Sequence, residues 1–351
     1  MSIALRSFAK INLGLKIGPL RADGFHELRT IYQTIALHDV VRVEVEAGDG
    51  IEIRCDDPRV PCDATNTCHR IAEQVLRTAG KRSKVIIEIE KQLPVQGGMG
   101  AASSNAVATM LGLERALGIE LSQQDKLRIA AEVGSDLPLF LIGGTVLGVD
   151  RGQEVHALPD LPETPLVVVT PAVGVSTPKA FAHWDALVER AETDEAIEIA
   201  AAQIAQSALT VPDATGTIKR RDRADDAWLS ERLLSQAVPA KGPASGVPAL
   251  GGDRAETPLL DLVRTGIEND FERVVFPEYP ELREVKSVLR REGARYASLS
   301  GSGSTLYGMF DSSSDAEAAA ERMRAAGHAA VATRTLMRAE YWKRQLATGN
   351  W

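Results

Sequence analysis

The chain has 351 residues, 44% hydrophobic and 25% charged, which are the proportions of an ordinary soluble globular protein and exclude disorder as its main state. At about 100 to 200 residues per domain the length predicts two domains, each with its own core, and so a cleft between them. Forty Lys and Arg against 48 Asp and Glu leave a net charge of −8, so no basic face is expected for a nucleic-acid partner.

Cys55, Cys62 and Cys68 are odd in number, and their spacing with His69 fits none of the usual zinc patterns, so they read as reduced packing residues and not as a metal site. The N-terminus runs at once into alternating residues without a basic-then-apolar export signal, and apolar runs such as Leu166 to Val169 fall far short of the ~20 residues of a membrane span. No membrane partner and a cytoplasmic location are expected.

From Ala9 to Gly18, Ile11, Leu13, Leu15 and Ile17 alternate with Lys10, Asn12, Gly14 and Lys16, the period of a half-buried strand with Lys10 and Asn12 on its polar face. Strand signals follow at Val41 to Val45, Ile51 to Ile53 and Val85 to Ile89, and Asn66 opens a helix. Further helices are predicted from Ser104 to Leu117 and from the capping box at Ser122 to Gly134, with Asp136 just beyond. A strand pair follows at Gly144 to Val149 and Leu166 to Val173, then two helices between Thr177 and Leu209. Residues 210–257 are rich in Pro, Gly and Ala and read as an inserted, mobile loop. The remainder reads helix (Leu259 to Val274), helix (Glu278 to Arg291), strand (Tyr296 to Ser300), Gly-rich turn, strand (Thr305 to Phe310), helix (Asp315 to Ala326) and strand (Ala329 to Thr335), an α+β sandwich overall.

The most informative segment is Pro94-Val95-Gln96-Gly97-Gly98-Met99-Gly100-Ala101-Ala102-Ser103-Ser104, which joins a strand to a helix. Small residues let backbone approach a ligand, and the helix start presents unpaired N–H groups and the positive end of the dipole, which makes a phosphate cradle. A tight strand-to-helix connection is the plainer alternative. The Gly-x-x-x-x-Gly-Lys-Ser/Thr pattern of P-loop ATPases is absent, and Ser103 stands where a dinucleotide fingerprint needs its third glycine. A second small-residue loop, Ser300-Gly301-Ser302-Gly303-Ser304, taken alone is a hairpin turn. Lys10 and Asp136 are the charged candidates, although a lysine on such a strand is ordinarily solvated and an aspartate before a helix ordinarily caps it. Phe25 and His26 place two flat rings side by side on a turn, either to hold a heterocycle or to pack a loop.

Taken together, Ala9-Lys10-Ile11-Asn12-Leu13, Arg21-Ala22-Asp23-Gly24-Phe25-His26, the Pro94 to Asn105 loop, Gly134-Ser135-Asp136-Leu137-Pro138 and Leu299 to Ser304 resemble the galactokinase, homoserine kinase, mevalonate kinase and phosphomevalonate kinase (GHMP) superfamily, in order and over nearly the whole chain outside the insert. The resemblance implies a two-domain α+β fold: a ribosomal-protein-S5-like β/α domain over 1–160, a ferredoxin-like α/β sandwich over 161–351, and the active site in the cleft between them. It also implies ATP as phosphoryl donor with Mg²⁺ carried on it, and a cytidine diphospho-polyol as acceptor, phosphorylated on the 2-hydroxyl of 4-diphosphocytidyl-2-C-methyl-D-erythritol in the non-mevalonate isoprenoid route. By position, Lys10 and Asp136 are the catalytic pair, Pro94 to Ser104 the ATP loop, Asn66 and Lys91 neighbours of the adenosine, and Asn12, Phe25, His26, Thr177 and Phe181 the cytidine pocket; Ser104 is a candidate Mg²⁺ ligand. Phe25 replaces a common tyrosine, which keeps a stacking face and loses a hydroxyl. Gln96, Ala101 and Ala102 replace glycines and would be strained by about 1–3 kcal/mol at any position needing a positive φ. Rival expectations are another GHMP small-molecule kinase acting on mevalonate, homoserine or a sugar, a nucleotide-binding module without turnover, and an NAD(H)-dependent oxidoreductase. Monomer and homodimer both stay open.

Overall fold

The computed structural model describes residues 2–95, 97–191 and 268–345. Gln96 and the 210–257 insert lie outside these residues.

Two sheets organise the chain. The first takes β1 (Ser2–Leu20), β2 (His26–Glu46), β3 (Gly50–Cys55), β4 (Lys84–Glu90), β5 (Thr145–Val149) and β6 (Glu154–Ala157). Its order is β3-β4-β2-β5-β6, with β1 along the other edge of β2. β3 and β4 are parallel and are joined through helix α1 (Thr67–Ala79), while the remaining pairs are antiparallel. The second sheet is antiparallel, ordered β10-β7-β9-β8, from β7 (Pro165–Val169), β8 (Tyr296–Leu299), β9 (Leu306–Met309) and β10 (Ala330–Arg334). The segments around residues 144–149 and 166–173, expected to pair, therefore belong to different sheets: β5 finds its partners in β2 and β6, and β7 in β9 and β10.

Local signals explain most boundaries. The Asn66 side chain accepts from the Cys68 amide at 2.8 Å and starts α1, which ends at the left-handed Gly80. Helix α2 (Ala101–Leu117) ends at the left-handed Gly118, and α3 (Gln123–Val133) starts where Ser122 Oγ accepts from the Asp125 amide at 3.0 Å. A short α4 (Leu137–Phe140) follows, and α5 covers 177–191, so the second helix expected before Leu209 lies outside the described residues. So does most of the helix expected over Leu259–Val274: residues 270–271 form a turn, and α6 (Glu272–Glu278) begins only after it, followed by α7 (Pro280–Arg291), α8 (Ser313–Ala325) and α9 (Arg338–Gln345).

Of the four apolar clusters among the described residues, three hold these layers, and a small fourth packs Phe8 against Leu336 and Tyr341. One lies between the first sheet and α1 to α3, including Val41, Val43, Ile87, Ile71 and Met110. Another joins the second sheet to α5 to α8. The third is sheet against sheet, with Ile11, Leu13 and Ile31 meeting Leu166, Val168, Tyr307 and Met309. Each fully buried Leu, Ile or Phe contributes about 1.5–3 kcal/mol to folding. The second sheet covers the Ile11 and Leu13 face of β1, and the loops at Gly98 to Gly100 and at Gly301 close over the opposite face, so Lys10 and Asn12, expected to be solvated, are only 3% and 1% exposed. A buried ammonium needs partners, and these define the site.

Candidate active site

The glycine loop between β4 and α2 takes its shape from two left-handed residues, Gly98 (φ +83°) and Gly100 (φ +69°). A Cβ on Gly98 would lie 2.3 Å from the carbonyl oxygen of Ser300, and one on Gly100 2.9 Å from the Phe140 ring, so neither position tolerates a side chain. Ala101 and Ala102 sit inside α2, and the strain considered for them does not arise. Ser300 to Ser304 is more than a hairpin turn: Ser300 Oγ donates to the Gly98 carbonyl at 3.0 Å, and the Thr305 amide to the Gly97 carbonyl at 3.2 Å. Gly100 supplies no side-chain cap, which leaves the first amides of α2 available to an anion. Ser104, the candidate metal ligand, is 1% exposed and takes a 2.7 Å hydrogen bond from Ser7 on β1, which turns it away from the cleft.

Lys10 reaches this loop from β1. Its Nζ donates to Asn12 Oδ1 at 2.7 Å and to the Gly98 carbonyl at 2.9 Å, and stands 3.4 Å from Asp136 Oδ2. Asn12 is itself held through its Nδ2, which donates to Thr30 Oγ1 at 2.8 Å. Asp136 occupies the N-cap position of α4 without making a capping hydrogen bond, so its carboxylate, 35% exposed, is free to face the cleft. The side chain of Asp136 therefore does not serve as a helix cap. The Tyr32 hydroxyl donates to Asp136 Oδ1 at 3.1 Å, a contact that sequence reasoning missed; the register that sets Tyr32 opposite Asn12 follows bulges in β1 that no residue pattern announces.

Two cavities meet at the loop. The first, ≈ 330 Å³, is lined by Asn66, Lys91, Pro94, Val95, Gly97 to Ser103 and the 59–61 turn. Asn66 thus serves as helix cap and cavity wall at once. The Lys91 ammonium is already engaged, 2.5 Å from the buried carboxylate of Asp39, which also accepts from the Gln92 and Leu93 amides at 2.7 Å each and from Asn105 Nδ2 at 3.0 Å. Asp39 gave no sequence signal of a role.

The second cavity, ≈ 670 Å³, is lined by Lys10, Asn12, Tyr32, Ser135 and Asp136 at one end and by Phe25, His26, Thr177 and Phe181 at the other. His26 stacks on Phe181 with centroids 5.0 Å apart and shares a 2.7 Å hydrogen bond with Asp185, while Thr177 and Ser302 hydroxyls are 2.7 Å apart. Phe25 and His26, adjacent in sequence, diverge: His26 is buried and Phe25 is 50% exposed, with the Arg151 guanidinium 4.8 Å from its ring centroid. The Phe25 turn is tied down by the Arg21–Asp150 ion pair, and Asp150 adopts φ +62°. Arg151 and Asp185 also went unrecognised in the sequence. The two cavities share Gly98 and Gly100 as their common wall.

The class of protein follows from both halves of the chain. Residues 66–144 match the GHMP kinases N terminal domain and residues 256–329 the GHMP kinases C terminal model. A solved homoserine kinase from Cytophaga hutchinsonii has the same fold, with a TM-score of 0.60 at 18% identity over 98% of this chain and 96% of that one. A solved 4-(cytidine 5'-diphospho)-2C-methyl-D-erythritol kinase superposes with a TM-score of 0.64 at 26% identity, covering 95% of this chain and 99% of that one. The 4-diphosphocytidyl-2-C-methyl-D-erythritol kinase of Acaryochloris marina is 32% identical over 92% of this chain and 91% of its own length, and that of Heliobacterium modesticaldum 34% over 90% and 88%. The chain belongs to the 4-diphosphocytidyl-2-C-methyl-D-erythritol kinase family of GHMP kinases. No helix among the described residues is long and apolar enough to cross a membrane.

Proposed function

We infer that this chain transfers the γ-phosphoryl group of ATP to the 2-hydroxyl of 4-diphosphocytidyl-2-C-methyl-D-erythritol, giving the 2-phosphate and ADP, as a cytoplasmic step of the non-mevalonate isoprenoid route. The observation that carries this is the shared glycine wall: a cavity at the start of α2 and a ring-lined cavity have Gly98 and Gly100 in common among the described residues, with Lys10 and Asp136 on the acceptor side of the contact. In this assignment residues 1–160 carry the ATP loop and the catalytic pair, and residues 161–351 complete the cleft.

ATP occupies the first cavity, its adenosine near Asn66 and Lys91 and its phosphates along Gly97 to Ser103. The acceptor occupies the second, its cytosine among Phe25, His26 and Phe181 and its polyol directed toward Asn12 and Asp136. Phosphoryl transfer spreads charge over the equatorial oxygens, so positioning and fixed positive potential do most of the work. Loop amides, the start of α2 and the Lys10 ammonium supply that potential. The acceptor oxygen forms the new bond to phosphorus, the bond to the β-phosphate oxygen breaks, and the hydroxyl proton passes to the Asp136 carboxylate. The Asp136 carboxylate is held by Lys10 and Tyr32; Mg²⁺ carried on ATP would neutralise phosphate charge, and no group of three or more His, Cys, Asp or Glu side chains among the described residues is placed to hold it.

A coupled ADP-release assay tests the assignment. ADP should appear with 4-diphosphocytidyl-2-C-methyl-D-erythritol as acceptor and not with mevalonate, homoserine or a plain polyol; turnover of one of those in preference would reassign the acceptor.

A further inference from the structure

Tyr32 has no part in the transfer as described, yet its setting is built around one contact. Its hydroxyl donates to Asp136 Oδ1 at 3.1 Å while the Lys10 ammonium stands 3.4 Å from Oδ2, so the two carboxylate oxygens are held from two sides by residues of β2 and β1. The ring is 2% exposed and lies in a slot made by missing side chains: a Cβ on Gly148 would lie 2.5 Å from Tyr32 Cε2, and one on Gly152 2.6 Å from the Tyr32 hydroxyl. Lys10 Nζ is also 5.6 Å from the ring centroid, a distance at which an ammonium is attracted to the aromatic face. A ring that fills a slot needs no oxygen. A buried hydroxyl aimed at a carboxylate does something further, because a donor to a charged acceptor favours the charged form.

We propose that Tyr32 is a positioning residue for the phosphoryl transfer: its hydroxyl fixes the orientation of the Asp136 carboxylate that accepts the acceptor's proton. Burial, and then the neighbouring Asp136 charge, push the Tyr32 phenol well above its usual 10, so it remains a donor throughout the working pH range. The other charged groups lining this cavity are Lys10 from β1 beside Asp136, Arg151 from the turn after β5 against the Phe25 ring, and Asp185 of α5 against His26. This inference rests on the role given to Asp136 above.

Tyr32→Phe keeps the ring and removes the oxygen. The expected result is a kcat lowered about tenfold with the KM for ATP unchanged, as for loss of a hydrogen bond to a charged group. The KM for the acceptor should stay within about twofold, since the contact acts on a group used in the transfer and not on binding. A substrate-free carbon-13 NMR spectrum at fixed pH should show the Asp136 carboxyl resonance displaced in Tyr32→Phe, and it reads the contact whichever acceptor is correct. Absence of turnover by the parent enzyme with the cytidine acceptor would therefore count against the proposed function alone. An unmoved Asp136 resonance, or a loss that falls on KM in place of kcat, overturns the role of Tyr32. If Tyr32→Phe does not fold, Asp136→Asn gives the reciprocal measurement: the labelled Tyr32 phenol should titrate at lower pH than in the parent, and an unchanged titration overturns the proposal.

Discussion

At Asp136 the chemistry depends on what the carboxylate does not do. It stands where a helix cap would stand, makes no capping bond, and is left to Lys10, Tyr32 and the cleft. Asp136→Asn is expected to lower kcat by about 10²–10⁴ for loss of the proposed general base, with ATP affinity retained, which equilibrium titration with ATP and single-turnover rates would measure. Phe25 belongs to the same scale. Its half-exposed ring lies against the Arg151 guanidinium in the proposed acceptor cavity, so Phe25→Ala should raise the KM for the cytidine acceptor about tenfold and leave that for ATP within about twofold, in keeping with the ~1–3 kcal/mol of a stacked base. Equal effects on both substrates would remove the ring from the acceptor site. Lys10, Asp136 and the loop were legible as residues in a motif. Tyr32, Arg151 and Asp185 were not, because each gains its place through strand register or a turn contact.

Between elements, Asp39 does what no motif foretold. Its buried carboxylate accepts from Lys91, two amides of the chain leaving β4 and Asn105 of α2, and so joins β2 to both ends of the phosphate loop. Removing one member of a buried, hydrogen-bonded ion pair strands the other, and Asp39→Ala should cost about 3–5 kcal/mol, readable by urea unfolding, with a raised KM for ATP. A loss below 1 kcal/mol would show that the loop holds itself. Helices α1 and α3 were legible from Asn66 and Ser122, whose side chains make the caps their types suggest. Helix α9 was not. It carries no regular apolar stripe and docks instead through Tyr341 and Trp342, which donate to the carbonyls of Phe140 and Ile142 at 2.7 and 2.9 Å. Short β6 escaped notice for a similar reason, since four residues, two of them exposed, hold too little of a period to recognise.

For the molecule as a whole, the cysteines report on cooperativity. Cys68 is fully buried in the core under α1 and burial pushes its thiol up to about 12, while Cys62 is exposed. Its folded value being raised, Cys68 stays a protonated, unreactive thiol at pH 8 and becomes reactive only where unfolding restores its ordinary ionisation near ~8.5. Iodoacetamide at pH 8 should therefore modify Cys62 at once and Cys68 only at the rate of global opening, and mass spectrometry of the peptides should show saturating ATP slowing Cys68 but not Cys62. Rapid labelling of Cys68 in the native protein would mean that the core beneath α1 opens on its own.

Periodicity, caps and small-residue turns are local properties written in neighbouring residues, and they marked the α+β class, the glycine loop and the Lys10 and Asp136 candidates, while the chemistry proposed for that pair came from the resemblance of the motifs to GHMP kinases. Only the tertiary structure decided that β1 is covered on both faces, that β5 and β7 part into different sheets, and that Asp39, Tyr32 and Arg151 stand where they do. Burial and register are agreements between distant segments: a strand such as β1 reads as half-exposed until loops from far along the chain close over its polar face, and a side chain acquires partners only once the bulges of its neighbour are set.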